Sequence, residues 1–287
     1  MRYRTICLSM FVLVGCSDTT GSTTPGLEVA STPVQLAAGQ ERWICWSFPV
    51  ETPFQMTATE LVASSPLIHH YQLFKMTQDP GMDGSDCQAV GFRDAVWLSV
   101  GGAETEGIRY PEGTAMKIEG YVTLQLHVLN AGDAPITIPS FKMQLVGTDA
   151  DGLSPIGVLV VAPREIAIPP GSSGYKVSGT CNPPEDVEHV VAIYPHMHKL
   201  GKQIRVGVSP AGGAAADLLS VPWDFEHQAI YAMSGSARTA DSLQVECTYD
   251  NPTDRTVVFG ESTTDEMCAG IIYHYPAVND FKFCGGR

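Results

Sequence analysis

The chain has 287 residues and a formal net charge of −14, with only 17% charged residues, 28 glycines and 20 prolines. No basic run or basic–aromatic patch occurs in it. That argues against a nucleic-acid binder, whose affinity comes from neutralising phosphates, and against a polybasic membrane-surface protein.

Met1-Arg-Tyr-Arg4 is positive, Thr5 to Leu13 is largely apolar, and a polar run follows from Ser17 to Thr24. Residues 1–15 have the shape of a secretion signal, too short for a spanning helix. Gly15 before Cys16 resembles a bacterial lipoprotein processing site, which would leave Cys16 lipidated. Ser17 after it resembles the sorting type of a Gram-negative outer membrane. The expectation is an exported, lipid-anchored protein. Residues 16–33 are rich in Thr, Ser, Gly and Pro and read as a flexible tether. With Cys7 in the leader and Cys16 on lipid, Cys45, Cys87, Cys181, Cys247, Cys268 and Cys284 remain. An even set in an exported chain suggests three disulfides, with about fifteen possible pairings; thiolate metal ligation is the alternative, and no Cys-x-x-Cys supports it.

The body reads as short strands throughout. They cover Glu41 to Phe48, Gln55 to Val62, Ile68 to Met76, Ala95 to Val100, Ala115 to Tyr121 and Tyr121 to Asn130, then Ile136 to Leu145 and Gly157 to Ala162. Proline and glycine cluster from Pro163 to Gly174, which sets a domain boundary near residue 165. Strands resume at Tyr175 to Thr180 and Val187 to Met197, with Lys202 to Val208 expected as the hairpin partner of the latter. Leu243 to Tyr249, Thr256 to Phe259 and Ala269 to Tyr275 follow. No stretch makes a convincing amphipathic helix. The expected fold is all-β, with two tandem antiparallel β-sandwich, jelly-roll-like domains over residues 34–165 and 166–287.

Histidines carry the chemistry. His196 and His198 stand at i and i+2 in Tyr194-Pro-His-Met-His-Lys-Leu-Gly201, on one face of an extended strand. His69 and His70 are adjacent, so they share an ion only if the strand twists, bulges or ends there. His127 falls on the Tyr121, Thr123, Gln125 face, a polar face that suggests an accessible ligand. Met267 adds a thioether, which joins imidazoles mainly at a soft metal such as Cu(I). His189, His227 and His274 have no such grouping.

These motifs resemble those of the copper type II, ascorbate-dependent monooxygenases, the family of peptidylglycine α-hydroxylating monooxygenase and dopamine β-hydroxylase. The resemblance runs over residues 40 to 284. It rests on Ile68-His-His-Tyr71, Leu124-Gln-Leu-His127, His196-Met-His-Lys-Leu-Gly201, Cys247-Thr-Tyr-Asp-Asn251 and Ser262-Thr-Thr-Asp-Glu-Met-Cys268. It implies one copper on His69, His70 and His127 that stores an electron. It implies a second on His196, His198 and Met267 where oxygen reacts, across an open, water-filled cleft, with ascorbate reducing both. It also implies disulfides Cys45–Cys87, Cys181–Cys284 and Cys247–Cys268. Where the peptide-hydroxylating member grips a substrate carboxylate with arginine, asparagine and tyrosine, this chain has Tyr194, Ala269 and Ile271. The expected substrate is therefore a small apolar or aromatic molecule, hydroxylated at C–H with O2. The alternatives are a non-catalytic copper store or sensor, a structural or adhesive lipoprotein, and a zinc hydrolase. Met267 speaks against zinc.

Overall fold

The computed structural model describes residues 25–87, 95–102, 105–211, 213–238 and 241–284. The leader and Cys16 lie outside the described residues. The fold is all-β, and no helix long and apolar enough to cross a membrane occurs among the described residues.

Two five-stranded sheets enclose the first core. One has the order Gly26–Ala30, Lys142–Thr148, Phe54–Ala63, Thr114–Ile118, Ser154–Pro155. The other has the order Asp83–Asp86, Glu41–Pro49, Tyr121–Leu129, Ile68–Met76, Val96–Gly102. Alternation decides which side chains meet between them: Met143, Leu145 and Met56 come from the first sheet, and Leu73, Leu124 and Leu126 from the second. Part of the expected tether is corrected. Gly26–Ala30 is a strand paired with Lys142–Thr148, and Val29 is buried in the core.

A third five-stranded sheet has the order Tyr231–Ala232, His189–Met197, Cys268–Tyr275, Gly157–Val161, Phe281–Cys284. A four-stranded sheet packs against it, ordered Ser172–Cys181, Ser242–Asn251, Gly201–Ser209, Ala216–Pro222. The third sheet is covered on both faces. Val158, Val160, Tyr194 and Ile271 point into the first core, while Leu159, Val161, Ile193 and Ile272 point into the second. This explains why Gly-Val-Leu-Val-Val and Val-Val-Ala-Ile read as continuous apolar runs rather than alternating ones. It also fastens the two halves together through an apolar interface.

Three expectations change. Gly157–Val161 pairs with Cys268–Tyr275 and Phe281–Cys284, so sheet membership switches ahead of residue 165. His189–Met197 and Gly201–Ser209 are not a hairpin, because the turn after His198 carries the chain from the third sheet into the fourth. Pairing is not antiparallel throughout. Both edges of Cys268–Tyr275 are taken, so the last strand goes to the free edge of Gly157–Val161 and runs parallel to it. Ser154–Pro155 also pairs parallel, with Thr114–Ile118.

Disulfides join Cys45 to Cys87, Cys181 to Cys284 and Cys247 to Cys268. The second ties the last strand to the end of Ser172–Cys181. The third bridges the two sheets of the second half beside Met267.

Candidate metal centre

Two neighbouring strands gather the first three histidines. In the pairing of Ile68–Met76 with Tyr121–Leu129, His70 lies opposite His127. His69 would ordinarily face away from His70, but the register slips between Ile68 and His70. Such a bulge re-aims a side chain. The ligand-capable atoms of His69, His70 and His127 consequently lie within 4.8 Å of one another, and all three residues are buried.

The expectation of an accessible His127 is corrected. Thr123, Gln125 and His127 are at most 1% exposed. The Cys45–Cys87 bridge lies against Gln125, and the loop bearing Thr263 closes over Glu41 beside His127. Trp43 stacks on the His127 ring at 4.2 Å.

Glu41 Oε1 is 2.8 Å from His127 Nε2. A carboxylate only accepts, so Nε2 carries the proton and Nδ1 holds the lone pair. Thr263 also donates to Glu41 through its N–H and Oγ1, at 3.3 Å each. Burial opposes the Glu41 charge, but His127 and Thr263 outweigh it and hold the carboxyl below its ordinary value. His127 Nδ1 is buried without a hydrogen-bond partner. A buried lone pair facing two further imidazoles is an orphan that a cation satisfies, and a ligand set made only of imidazole suits copper.

The second group forms where a strand ends. His196 is the penultimate residue of His189–Met197, and His198 opens the following turn, with the two rings 5.2 Å apart and nearly perpendicular. Met267 enters on the loop before Cys268–Tyr275, whose Ala269 pairs with His196. Met267, His196 and His70 line one cavity. Three side chains fix the surrounding backbone. Glu266, fully buried, accepts from the N–H of His198 at 2.9 Å and of Leu200 at 2.7 Å. Trp223 Nε1 donates to His198 O, and Tyr249 Oη donates to Met267 O. Burial raises the Glu266 carboxyl to about 7, although those backbone donors oppose the shift.

Burial keeps all five histidines neutral. It pushes His69 down to about 3 and His70 well below its ordinary value, and the neighbouring imidazoles add repulsion. His127 is also lowered by burial, with Glu41 working against the shift. Burial takes His196 to about 3 and His198 to about 4, partly opposed by Gln228 and by the Asp265 carbonyl respectively. Neutral imidazole is the metal-binding form.

The expected open cleft between the two groups is absent. The His70 and His196 rings stand 5.4 Å apart, and Phe225 packs on His69 at 3.8 Å. The segment from Trp223 to Ile230, between two strands of the second half, fills the space. Glu41, Phe225 and Gln228 escaped the sequence reading. Glu41 reaches His127 diagonally across paired strands, which only the register reveals. Phe225 and Gln228 lie in irregular chain that no periodicity marks.

Residues 155–286 match the family model described as copper type II ascorbate-dependent monooxygenase, C-terminal domain. The second half of the chain is thus similar to the C-terminal domain of the copper type II ascorbate-dependent monooxygenases. Similar proteins include a tyramine beta-hydroxylase of Caenorhabditis briggsae, 26% identical over 247 residues, which are 74% of this chain and 40% of that protein. A DBH-like monooxygenase protein 1 of Mus musculus is 28% identical over 250 residues, with the same two shares. MOXD1 homolog 1 of Drosophila melanogaster is 26% identical over 122 residues, 39% of this chain and 18% of that protein. The chain thus matches less than half the length of these relatives. The matched stretch contains His196, His198 and Met267, and the three-histidine cluster that could hold a metal ion lies outside it.

Proposed function

We propose that this chain is a copper-dependent monooxygenase that hydroxylates a C–H bond of a small apolar or aromatic substrate, using O2 and a one-electron reductant such as ascorbate. The observation that carries this reading is a cavity of about 360 Å³ where the two histidine groups meet. Its wall holds His70, His196 and Met267 on one side and Phe74, Trp97 and Phe281 among its apolar residues. Cavities of this size and lining suit a small ring-bearing ligand. We assign one copper to His69, His70 and His127 and a second to His196, His198 and Met267. Copper bound at these residues would supply the one-electron steps and the activation of oxygen.

The protein's own part is to hold the ligands, exclude water and seat the substrate. Tyr194 turns its hydroxyl to Gln228, and Ala269 and Ile271 offer only carbon, so none of the three receives a carboxylate. Uncharged substrates follow. A larger, more polar cavity of about 690 Å³ reaches His69 from another side, with Lys199 and Gln228 in its wall beside the exposed Glu106 and Glu226. We assign the reductant's approach to this side. The same reading divides the chain into two jelly-roll-like copper domains, with Gly157–Val161 already in the second. It has the chain exported after loss of residues 1–15 and anchored by lipid at Cys16 in a Gram-negative outer membrane.

The test is turnover under isotopically heavy O2 with copper, ascorbate and a panel of small aromatic substrates beside a glycine-extended peptide. Labelled hydroxyl in an aromatic product, and none in the peptide, is the expected result. Stoichiometric copper binding with no labelled product from any substrate would favour the non-catalytic copper store or sensor.

A further inference from the structure

We propose that Gln228 is a positioning residue that links the two ligand groups and sets which nitrogen of His196 carries the proton; this rests on the copper reading above. Gln228 belongs to the second half of the chain, yet its backbone is fastened to the first. Its carbonyl accepts from Gly102 N–H at 3.1 Å and from Thr105 Oγ1 at 3.2 Å. The fit is close, because a Cβ added at Gly102 would lie 2.9 Å from that oxygen. The side chain is 3% exposed.

The orientation of the amide follows from its partners. Gln228 Nε2 is 3.3 Å from Phe225 O, and a carbonyl oxygen can only accept. The NH2 end therefore faces Phe225, and the oxygen end faces Tyr194 and His196. Tyr194 Oη donates to Oε1 at 2.5 Å, and His196 Nδ1 lies 3.0 Å from the same oxygen. An oxygen without a proton calls for an N–H opposite it. His196 is thus the Nδ1–H tautomer and presents the lone pair on Nε2. His198 is held in the same sense by the Asp265 carbonyl, 3.1 Å from its Nδ1. The other end of the Gln228 amide lies 3.5 Å from His69 Nδ1, at the outer limit of a hydrogen bond. One amide therefore meets a ring from each group, and its backbone ties the second half to Gly102 and Thr105 of the first.

A partner on the non-ligating nitrogen fixes both tautomer and ring direction, and its loss typically costs about 10–100-fold in metal affinity. Four proteins test this: the wild type, two Gln228 variants and one variant for assignment. Gln228→Met keeps the length and removes both polar ends. Gln228→Glu keeps an acceptor toward His196 and, in the neutral form that burial favours, a donor toward Phe225. The first readout is the 15N spectrum of histidine side chains in the copper-free chain, with His196 assigned through His196→Gln. The proposal expects Nδ1–H at His196 in the wild type and in Gln228→Glu, and mixed tautomers in Gln228→Met. The second readout is Cu(I) affinity by competition, expected to fall by about 10–100-fold in Gln228→Met and to recover in Gln228→Glu. An Nε2–H tautomer in the wild type overturns the proposal, whether or not the Gln228 variants fold. So does a Gln228→Met protein with unchanged tautomer and affinity. Because the spectrum is read without copper, a chain that binds none would refute the copper reading and leave the tautomer result to decide the role of Gln228 by itself.

Discussion

Glu266 is the strongest single handle on the proposed second copper site. Its carboxylate is fully buried and accepts from the backbone N–H groups of His198 and Leu200, so it shapes the turn that presents His198. Glu266→Ala leaves both N–H groups without a partner. A buried hydrogen bond to a charged acceptor is worth about 1.5–3 kcal/mol, so two of them give about 3–6 kcal/mol. The buried charge has its own cost, seen in a carboxyl raised to about 7, and removing it offsets part of that loss. The net expectation is about 3 kcal/mol for Glu266→Ala and about 1–2 kcal/mol for Glu266→Gln, which keeps one acceptor. For a chain of this size that corresponds to roughly 6–12 °C in Tm for the alanine variant. Urea unfolding of the copper-free protein measures it. Copper titration then reads the second consequence, weaker binding at His196 and His198 with the other three histidines unaffected. An alanine variant within about 0.5 kcal/mol of wild type, the range of neutral surface changes, would refute this account of the turn.

Three further outcomes are expected. Replacing Cys247 and Cys268 by serine opens a link of sequence separation 21 and should cost about 3 kcal/mol in urea unfolding, with the Met267 loop loosened; an unchanged midpoint would contradict it. Ala269→Phe places a ring in the apolar cavity and should abolish turnover of aromatic substrates while copper content stays at the wild-type value; loss of copper instead would show that the cavity is not a separate substrate site. His274 is buried, and burial lowers its pKa below 6.5, partly opposed by Glu185. The unfolded chain then takes up the proton first, so this histidine's contribution is intact above about pH 6.5 and declines as pH falls below it. Unfolding at pH 7.5 and 5.5 should show a smaller drop in His274→Gln than in wild type, and equal drops would remove His274 from the account.

The all-β class was legible because alternation and turn residues mark each strand locally. The third sheet was harder to read, since strands covered on both faces lose their alternation. That is why Gly157–Val161 looked like the end of the first half rather than a strand of the second. The turn after His198 looked like a hairpin because sequence shows a turn's residues and not which sheet the next strand joins. At the site, the histidines and Met267 stood out as chemistry-bearing types at short spacing. The side chains that orient them did not. Glu41 depends on strand register, and Gln228 on an irregular segment that crosses to the other half. Contacts of that kind join residues far apart in the chain and leave no periodic trace.

The central claim is that the two ligand groups hold copper. Its most direct test is the copper content of the full chain after reconstitution and desalting, beside His70→Ala and Met267→Ile proteins. The account predicts two coppers per chain, one in His70→Ala, and an altered Cu(I) coordination spectrum in Met267→Ile. A wild-type chain that retains no copper would contradict it.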